Sequence, residues 1–329
     1  MKKVTVLGAG SWGTSLAMVL SENSDNVMLW TLSQSQAEEI NERKTNQKYL
    51  KDVVLPENII CELDIEEAIK DSELIVLAVP SQAIRGVCGK IKDYITHEQI
   101  VVNVAKGLEK ETGLRMSEVV ESEIENVKYA VLSGPSHAEE VAKRLPTTIV
   151  VSSKDKDIVE YVQNAFMTSA FRVYTNDDVI GVELGGTLKN IIAFGCGITD
   201  GIGYGDNTKA ALITRGLNEV KLIGTALGAN EATFNGLSGV GDLIVTCTSI
   251  HSRNRQAGYL VGQGYSVDEA VVKVEMVVEG IVATEAVYKK TRGLGMEFPI
   301  LESLYSILFE GENPESAIDR LMNRERKSE

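Results

Sequence analysis

At 329 residues, 43% apolar and 24% charged, the chain has an ordinary globular balance and is long enough for two domains rather than one. Its 33 Lys and Arg against 47 Asp and Glu leave a formal charge of −14, which argues against nucleic acid or an anionic membrane surface as partner. Cys61, Cys88, Cys196 and Cys247 are scattered with no Cys-x-x-Cys pair, and His97, His137 and His251 show no metal-ligand spacing, so the expectation is buried thiols in a reducing compartment and no metal.

The opening MKKVTVLGAG is too short for a signal peptide and runs straight into a glycine fingerprint. No run of about 20 apolar residues stands out as a membrane span, so a cytoplasmic protein without integral membrane association is expected. Lys3 to Leu7 is a β-branched strand, and helical spacing follows over Gly13 to Leu20. Val27 to Trp30 is a second strand, with a polar helix around Gln34 to Arg43. Glu73 to Val79 is the near-continuous apolar run of a strand covered on both faces. Ile100 to Val104, Tyr129 to Leu132, Thr147 to Ser152 and Phe171 to Tyr174 complete the strands. Strands separated by helical patterns predict βαβ units: an α/β amino-terminal domain built on a mainly parallel sheet. Near Asp177 the pattern changes to long helices, such as Thr187 to Ile198 and Lys209 to Leu227. An all-α carboxy-terminal domain follows, with boundaries read as 1–185 and 186–329. The tail from Arg324 reads as a solvated end.

Gly8-Ala-Gly10-Ser11-Trp12-Gly13 matches G-x-G-x-x-G, directly after a strand and before a helix. In that context Gly8 permits the tight turn, Gly10 lets the backbone approach a pyrophosphate, and Gly13 lets helix and strand pack closely. A glycine-rich turn without ligand is the competing reading, but a turn alone does not require all three. The second strand ends Trp30-Thr31-Leu32-Ser33, with neither the carboxylate that marks NAD nor the arginine that marks NADP.

Hydride transfer to a ketone needs a proton donor, and with no well-placed histidine a lysine is the natural candidate. Lys189 lies in Glu183-Leu-Gly185-Gly186-Thr-Leu-Lys189-Asn190. Beside Leu188, Ile191 and Ile192 the helical pattern alone favours a solvent-facing residue, and the Gly185-Gly186 pair, which suggests close approach by another group, tips the balance. Asp242 closes the glycine-rich turn from Gly236 and is read either as a helix N-cap or as a group orienting a lysine or a substrate hydroxyl. Ser252-Arg253-Asn254-Arg255 is a loop dense in donors suited to phosphate, though arginines in a loop are commonly just solvated. Ser133-Gly134-Pro135-Ser136-His137-Ala138 follows a strand and opens a helix, with Pro135 near its first position. Lys106-Gly107 follows the strand ending at Val104, at the edge where a doubly wound sheet holds its ligand.

Together these motifs resemble the bacterial-type NAD(P)-dependent glycerol-3-phosphate dehydrogenases. The resemblance rests on GAGSWGT at Gly8, AKGLE at Ala105, SGPSHAEEVA at Ser133, ELGGTLKNIIA at Glu183, DGIGYGDNTKAALITRGL at Asp200, GDLIVTCTS at Gly241, HSRN at His251 and VVEG at Val277. These blocks run in order through nearly the whole chain. The resemblance implies a Rossmann-type amino-terminal domain, a helical partner domain, a homodimer, and NAD or NADP as cofactor with no metal. The implied reaction interconverts dihydroxyacetone phosphate and sn-glycerol 3-phosphate, supplying the latter for glycerophospholipid synthesis.

Residue by residue, the resemblance makes Lys189 the proton donor, with Lys106 and Asp242 completing the catalytic set. Lys106 would touch substrate and nicotinamide and lower the pKa of Lys189 by like charge. Gly134, Ser136, Asn190, Ser252, Arg253 and Asn254 would line the substrate site. The dinucleotide would meet Gly8, Gly10, Ser11, Trp12, Gly13, Leu32, Ser33, Lys106, Ala138, Arg253, Val277 and Glu279. Many relatives carry a basic residue or histidine where this chain has Leu32 and Ser33, which puts strong NADP preference in doubt. The rival readings are another two-domain dehydrogenase, of the 3-hydroxyacid or ketopantoate type, and a non-catalytic dinucleotide sensor. The second predicts loss of Lys106, Lys189 or Asp242, all of which are present.

Overall fold

The computed structural model describes residues 1–275 and 277–325. It clusters into two units, Met1–Lys106 with Leu114–Glu183, and the residues from Leu184 onward with the excursion Gly107–Gly113. The sequence reading places that excursion in the first domain. The tail residues 326–329 lie outside the described residues, and Arg324, read as solvated, pairs with Glu297 at 2.7 Å.

The first unit is an eight-stranded sheet. Its strands are β1 (Lys3–Leu7), β2 (Asn26–Trp30), β3 (Ile59–Glu62), β4 (Leu74–Leu77), β5 (Ile100–Asn103), β6 (Lys128–Ser133), β7 (Thr147–Ser152) and β8 (Phe171–Asn176), in the spatial order β3-β2-β1-β4-β5-β6-β7-β8. Every pairing is parallel except β6 with β7. Helices α1 (Ser11–Leu20), α2 (Gln34–Arg43), α3 (Ile65–Ile69), α4 (Ile84–Ile91), α5 (Met116–Glu123), α6 (Ala138–Ala142) and α7 (Lys156–Phe166) connect them. The period-2 alternation of strands divides the core between the two faces. Val4, Val6, Val102 and Leu132 pack with Leu16, Leu20 and Phe166 on one face. Leu7, Ile75, Leu77, Val101 and Val131 pack with Ile84, Val87 and Val119 on the other. The order reverses between β1 and β4, and in such sheets the crevice beyond the strand carboxyl ends at that reversal is the ligand site.

β3 is absent from the sequence reading. It is a four-residue edge strand with Ile60 43% exposed, too short and too two-faced to stand out. Pro135 does not open a helix either. Gly134 adopts φ +138°, the chain bends at Gly134 and Pro135, His137 is the extended N-cap, and α6 begins at Ala138 and lasts only five residues.

The second unit is helical. It holds most of α8 (Val179–Ile202), then α9 (Asp206–Ala226), α10 (Asp242–Thr248), α11 (Arg253–Gly262), α12 (Val267–Val274), α13 (Glu279–Thr291), α14 (Pro299–Tyr305) and α15 (Pro314–Met322). Contrary to the sequence reading, α8 is long and apolar enough to cross a membrane, with a mean hydropathy of 1.3 over its best window. That window is 94% buried inside the protein, as befits a core helix. Helices α8 and α11 touch backbone to backbone. A Cβ on Gly197 would lie 2.1 Å from the Arg255 carbonyl oxygen, on Gly201 2.2 Å from that of Tyr259, on Gly258 2.0 Å from that of Phe194, and on Gly262 2.3 Å from that of Ile198. Two glycines four residues apart on each helix leave no room there for a side-chain layer.

Candidate active site

The turn after β1 shows three glycines with three separate causes. Gly8 sits at φ +121°, and a Cβ there would meet the Ala78 carbonyl oxygen at 2.8 Å, so only glycine fits between β1 and β4. A Cβ on Gly13 would lie 1.9 Å from the Gly8 carbonyl oxygen, because α1 returns hard against the turn it leaves. Gly10 faces open space, with nothing within 4 Å of its Cβ position. It is also the N-cap of α1, and neither a side-chain cap nor an acidic residue in the first turn competes for the free N–H groups of Ser11, Trp12 and Gly13. That is an anion seat with room above it, and it fits a pyrophosphate.

The loop is braced from below. Asn46, fully buried, donates to the Ala9 carbonyl at 3.0 Å and to Thr14 Oγ1 at 2.9 Å, and Gln36 donates to the same carbonyl at 2.6 Å. Thr31 Oγ1 donates to Gln36 Oε1 at 2.5 Å, so it is committed inward. Ser33 caps α2 through the Gln36 N–H at 3.4 Å, and Leu32 is 76% exposed. Lys44 is held by the Glu57 and Ile59 carbonyls, and Arg43 is exposed in the last turn of α2, a helix of 10 residues whose first turn follows Ser33. None of Thr31, Leu32 and Ser33, which follow β2, carries a charge.

At the edge beyond β5 and β6, Lys106 Nζ donates to the Gly134 carbonyl at 2.9 Å, and Ser136 Oγ donates to the same oxygen at 2.9 Å. The positive φ of Gly134 turns that carbonyl, and a Cβ there would press on Ile149 Cα at 3.1 Å. Ala138 begins α6, and its carbonyl accepts Ser15 Oγ of α1 at 2.8 Å.

Within the second unit, Lys189 is 7% exposed, so the solvent-facing reading is wrong. Its Nζ donates to Asp242 Oδ1 and, at 2.8 Å, to Thr246 Oγ1. Asp242 is 1% exposed and is the first residue of α10, not its N-cap; its carboxylate holds the lysine instead of the helix end. Thr246, one turn further along α10, was missed, although the spacing of four from Asp242 was the available signal. The Gly185 close approach is real, but the approaching group is the chain's own Ser238 carbonyl, 2.3 Å from a Cβ position. It belongs to the π-helical turn Leu237–Gly241 that delivers Asp242.

Ser252 to Arg255 is a helix start and not a loop. Ser252 caps α11 through the Arg255 N–H at 3.3 Å. Arg255 is taken by Asp200, with Nε at 2.8 Å and Nη2 at 2.6 Å, while Lys209 holds the other carboxylate oxygen at 2.7 Å. Arg253 is exposed and has no hydrogen bond or ion pair among the described residues. Asn254 is 8% exposed and donates to Asn190 Oδ1 at 2.9 Å, while its own Oδ1 accepts the Gly280 N–H at 2.8 Å. Asn190 in turn donates to the Gly186 carbonyl at 3.3 Å. Each of these amide groups carries a second N–H. Glu279 begins α13, and Val277, 43% exposed, stands two residues before it. All four cysteines are buried, and burial pushes the Cys61 and Cys88 thiols up to about 12.

Two family models cover this chain. The one described as the NAD-dependent glycerol-3-phosphate dehydrogenase N-terminus matches residues 3–159, and its C-terminus counterpart matches residues 178–319. A protein of Clostridium acetobutylicum named glycerol-3-phosphate dehydrogenase [NAD(P)+] is 53% identical over 329 residues, covering 100% of this chain and 99% of its own length. Among solved structures, glycerol-3-phosphate dehydrogenase from Coxiella burnetii superposes with a TM-score of 0.94 at 36% identity, over 98% of this chain and 99% of that one. A ketopantoate reductase family protein from Ralstonia eutropha reaches a TM-score of 0.61 at 14% identity, over 96% and 99% of the two chains, a likeness of fold alone.

Proposed function

The chain belongs to the NAD-dependent glycerol-3-phosphate dehydrogenase family, and we propose on that footing that it interconverts dihydroxyacetone phosphate and sn-glycerol 3-phosphate. The observation that carries this reading is the buried Lys189–Asp242–Thr246 constellation. A bound NADH or NADPH would supply hydride to the ketone carbon. Lys189 gives the ketone oxygen a proton in reduction and takes it back in oxidation. Asp242 and Thr246 fix Nζ, so the ammonium is aimed before the substrate arrives and little reorganisation is needed at the reacting step. Arg253, exposed at the start of α11, grips the substrate phosphate with a planar fork. Asn190 and Asn254 brace each other and offer their second N–H groups to substrate oxygens, with Ser252 beside them at the same helix start. Lys106, Gly134 and Ser136 also serve the substrate, and Lys106 meets the nicotinamide as well.

The open helix start at Gly10, Ser11, Trp12 and Gly13 holds the pyrophosphate, after the tight turn at Gly8. Ala138, Arg253, Val277 and Glu279 complete the dinucleotide contacts, with Leu32 and Ser33 beside the adenosine ribose. We place the enzyme in the cytoplasm as a homodimer that feeds glycerophospholipid synthesis. Oxidation of NADH and NADPH with dihydroxyacetone phosphate, ketopantoate and unphosphorylated dihydroxyacetone tests the assignment. Turnover confined to dihydroxyacetone phosphate supports it, and faster turnover of ketopantoate overturns it.

A further inference from the structure

Glu183 has no part in the proposed reaction, although it is 6% exposed and accepts hydrogen bonds from Ser117, Arg115 and Tyr129. Ser117 donates to it through N–H and Oγ, both at 2.7 Å, Arg115 Nη1 at 2.8 Å and Tyr129 Oη at 2.8 Å. Burial pushes its pKa up, and Ser117, Arg115 and Tyr129 pull it back down. A buried carboxylate is costly unless its surroundings are fixed, and here every donor but the arginine comes from a group that is itself buried. Tyr129 lies on β6, and Val101 is its register partner on β5, so Asn103 is its diagonal neighbour on the same face. Asn103 thus shares a face with Tyr129, whose hydroxyl the Glu183 carboxylate holds.

Asn103 is the last residue of β5 and is fully buried. Its Nδ2 donates to the Ala105 carbonyl at 3.0 Å, and its Oδ1 accepts the Ala105 N–H at 3.1 Å. Both backbone polar groups of residue 105 are thus held by one side chain, which fixes the chain as it leaves the sheet. The next residue is Lys106, whose Nζ lies on the Gly134 carbonyl.

We propose that Asn103 is a positioning residue for Lys106, packed in turn beside Tyr129, which the buried Glu183 carboxylate holds in place. The proposal rests on the reading of Lys106 as a group that meets substrate and nicotinamide. The alternative is that Glu183 merely ties down the first turn of α5 and that Asn103 merely closes a strand end, a structural role that would act independently of Lys106.

A double-mutant cycle separates the two, because coupled residues are non-additive and independent ones add. Asn103→Ala is expected to lower kcat/KM for dihydroxyacetone phosphate by roughly tenfold when Lys106 is present, since small misplacements of a contacting group are costly. In a Lys106→Ala background the same change is expected to cost less than about twofold. Asn103→Ser keeps a side-chain oxygen able to accept the residue 105 N–H, and should recover part of the loss. Tyr129→Phe should act in the same direction as Asn103→Ala and also lose its effect without Lys106. If Asn103→Ala fails to fold, the Ser and Phe variants carry the cycle. Equal losses in both backgrounds overturn the proposal while leaving Lys106 in its role. A Lys106→Ala enzyme with wild-type kcat/KM overturns the reading of Lys106, and this proposal with it.

Discussion

Lys189→Ala should damage the protein twice, and the two injuries are separable. Asp242 is 1% exposed, and Lys189 is its ion-pair partner. Removing the lysine leaves a buried carboxylate with its charge uncompensated, a change that typically destabilises by about 3–5 kcal/mol. For a unit of this size each kcal/mol lowers the melting temperature by roughly 2–4 °C, so a fall on the order of 10 °C is expected. Loss of the proton donor should separately lower kcat by roughly 10²- to 10⁴-fold. Combining Lys189→Met with Asp242→Asn removes both charges and keeps similar volumes, so most of the lost stability should return while activity stays down. Thermal melts and steady-state NADH oxidation on the wild type, the single and the double variant read both effects. A single variant that keeps more than about a tenth of wild-type kcat removes Lys189 from catalysis. Equal melting temperatures for the single and double variants refute the argument from the buried pair.

Arg253→Gln should raise KM for dihydroxyacetone phosphate and lower kcat/KM by about 1.5–3 kcal/mol, the range for a hydrogen bond to a charged group. Unphosphorylated dihydroxyacetone should be affected far less, and equal losses for both compounds would mean Arg253 acts elsewhere. Because Leu32 is exposed and Thr31 is committed to Gln36, the end of β2 neither repels nor grips a 2′-phosphate. The kcat/KM values with NADH and NADPH should therefore lie within roughly tenfold, about 1.4 kcal/mol, and a preference above about a hundredfold would refute that reading. Glu219 accepts the Ile300 and Leu301 N–H groups at the start of α14, and burial raises its pKa to about 7. The folded state therefore holds this proton more tightly than the unfolded chain. Its stabilising share is complete below about pH 4.5 and is lost as pH rises through about 7, a difference on the order of 3 kcal/mol. Urea unfolding at pH 5 and pH 8 should show Glu219→Gln losing less stability than wild type over that interval, and parallel profiles would sink the argument.

The parts of the molecule legible in the sequence are those decided by neighbours along the chain. Helix Gln34–Arg43 and strand Thr147–Ser152 follow from local periodicity, and the glycine fingerprint from a turn, a phosphate seat and a helix contact within six residues. Illegible were the facts set by distant partners. Lys189 meets Asp242 across 53 residues, and nothing along the chain names that partner. Asn254 looks like a free phosphate donor until Asn190 and Gly280 are seen to engage it. Arg253 and Arg255 are indistinguishable by composition, yet Asp200 takes one and leaves the other.

The backbone contact between α8 and α11 also sets how this protein can change. In most cores a substitution is absorbed by rotamer shifts in the side chains around it, so sequence drifts while the shape persists. At Gly197, Gly201, Gly258 and Gly262 the opposing atoms are all backbone, a carbonyl oxygen nearest in each case, and backbone has no rotamers. A single methyl group there has no neighbour able to give way, and a second substitution cannot rescue the first. Random libraries of the helical unit should return these four glycines unaltered, with variation tolerated at exposed positions of α11 such as Gln256.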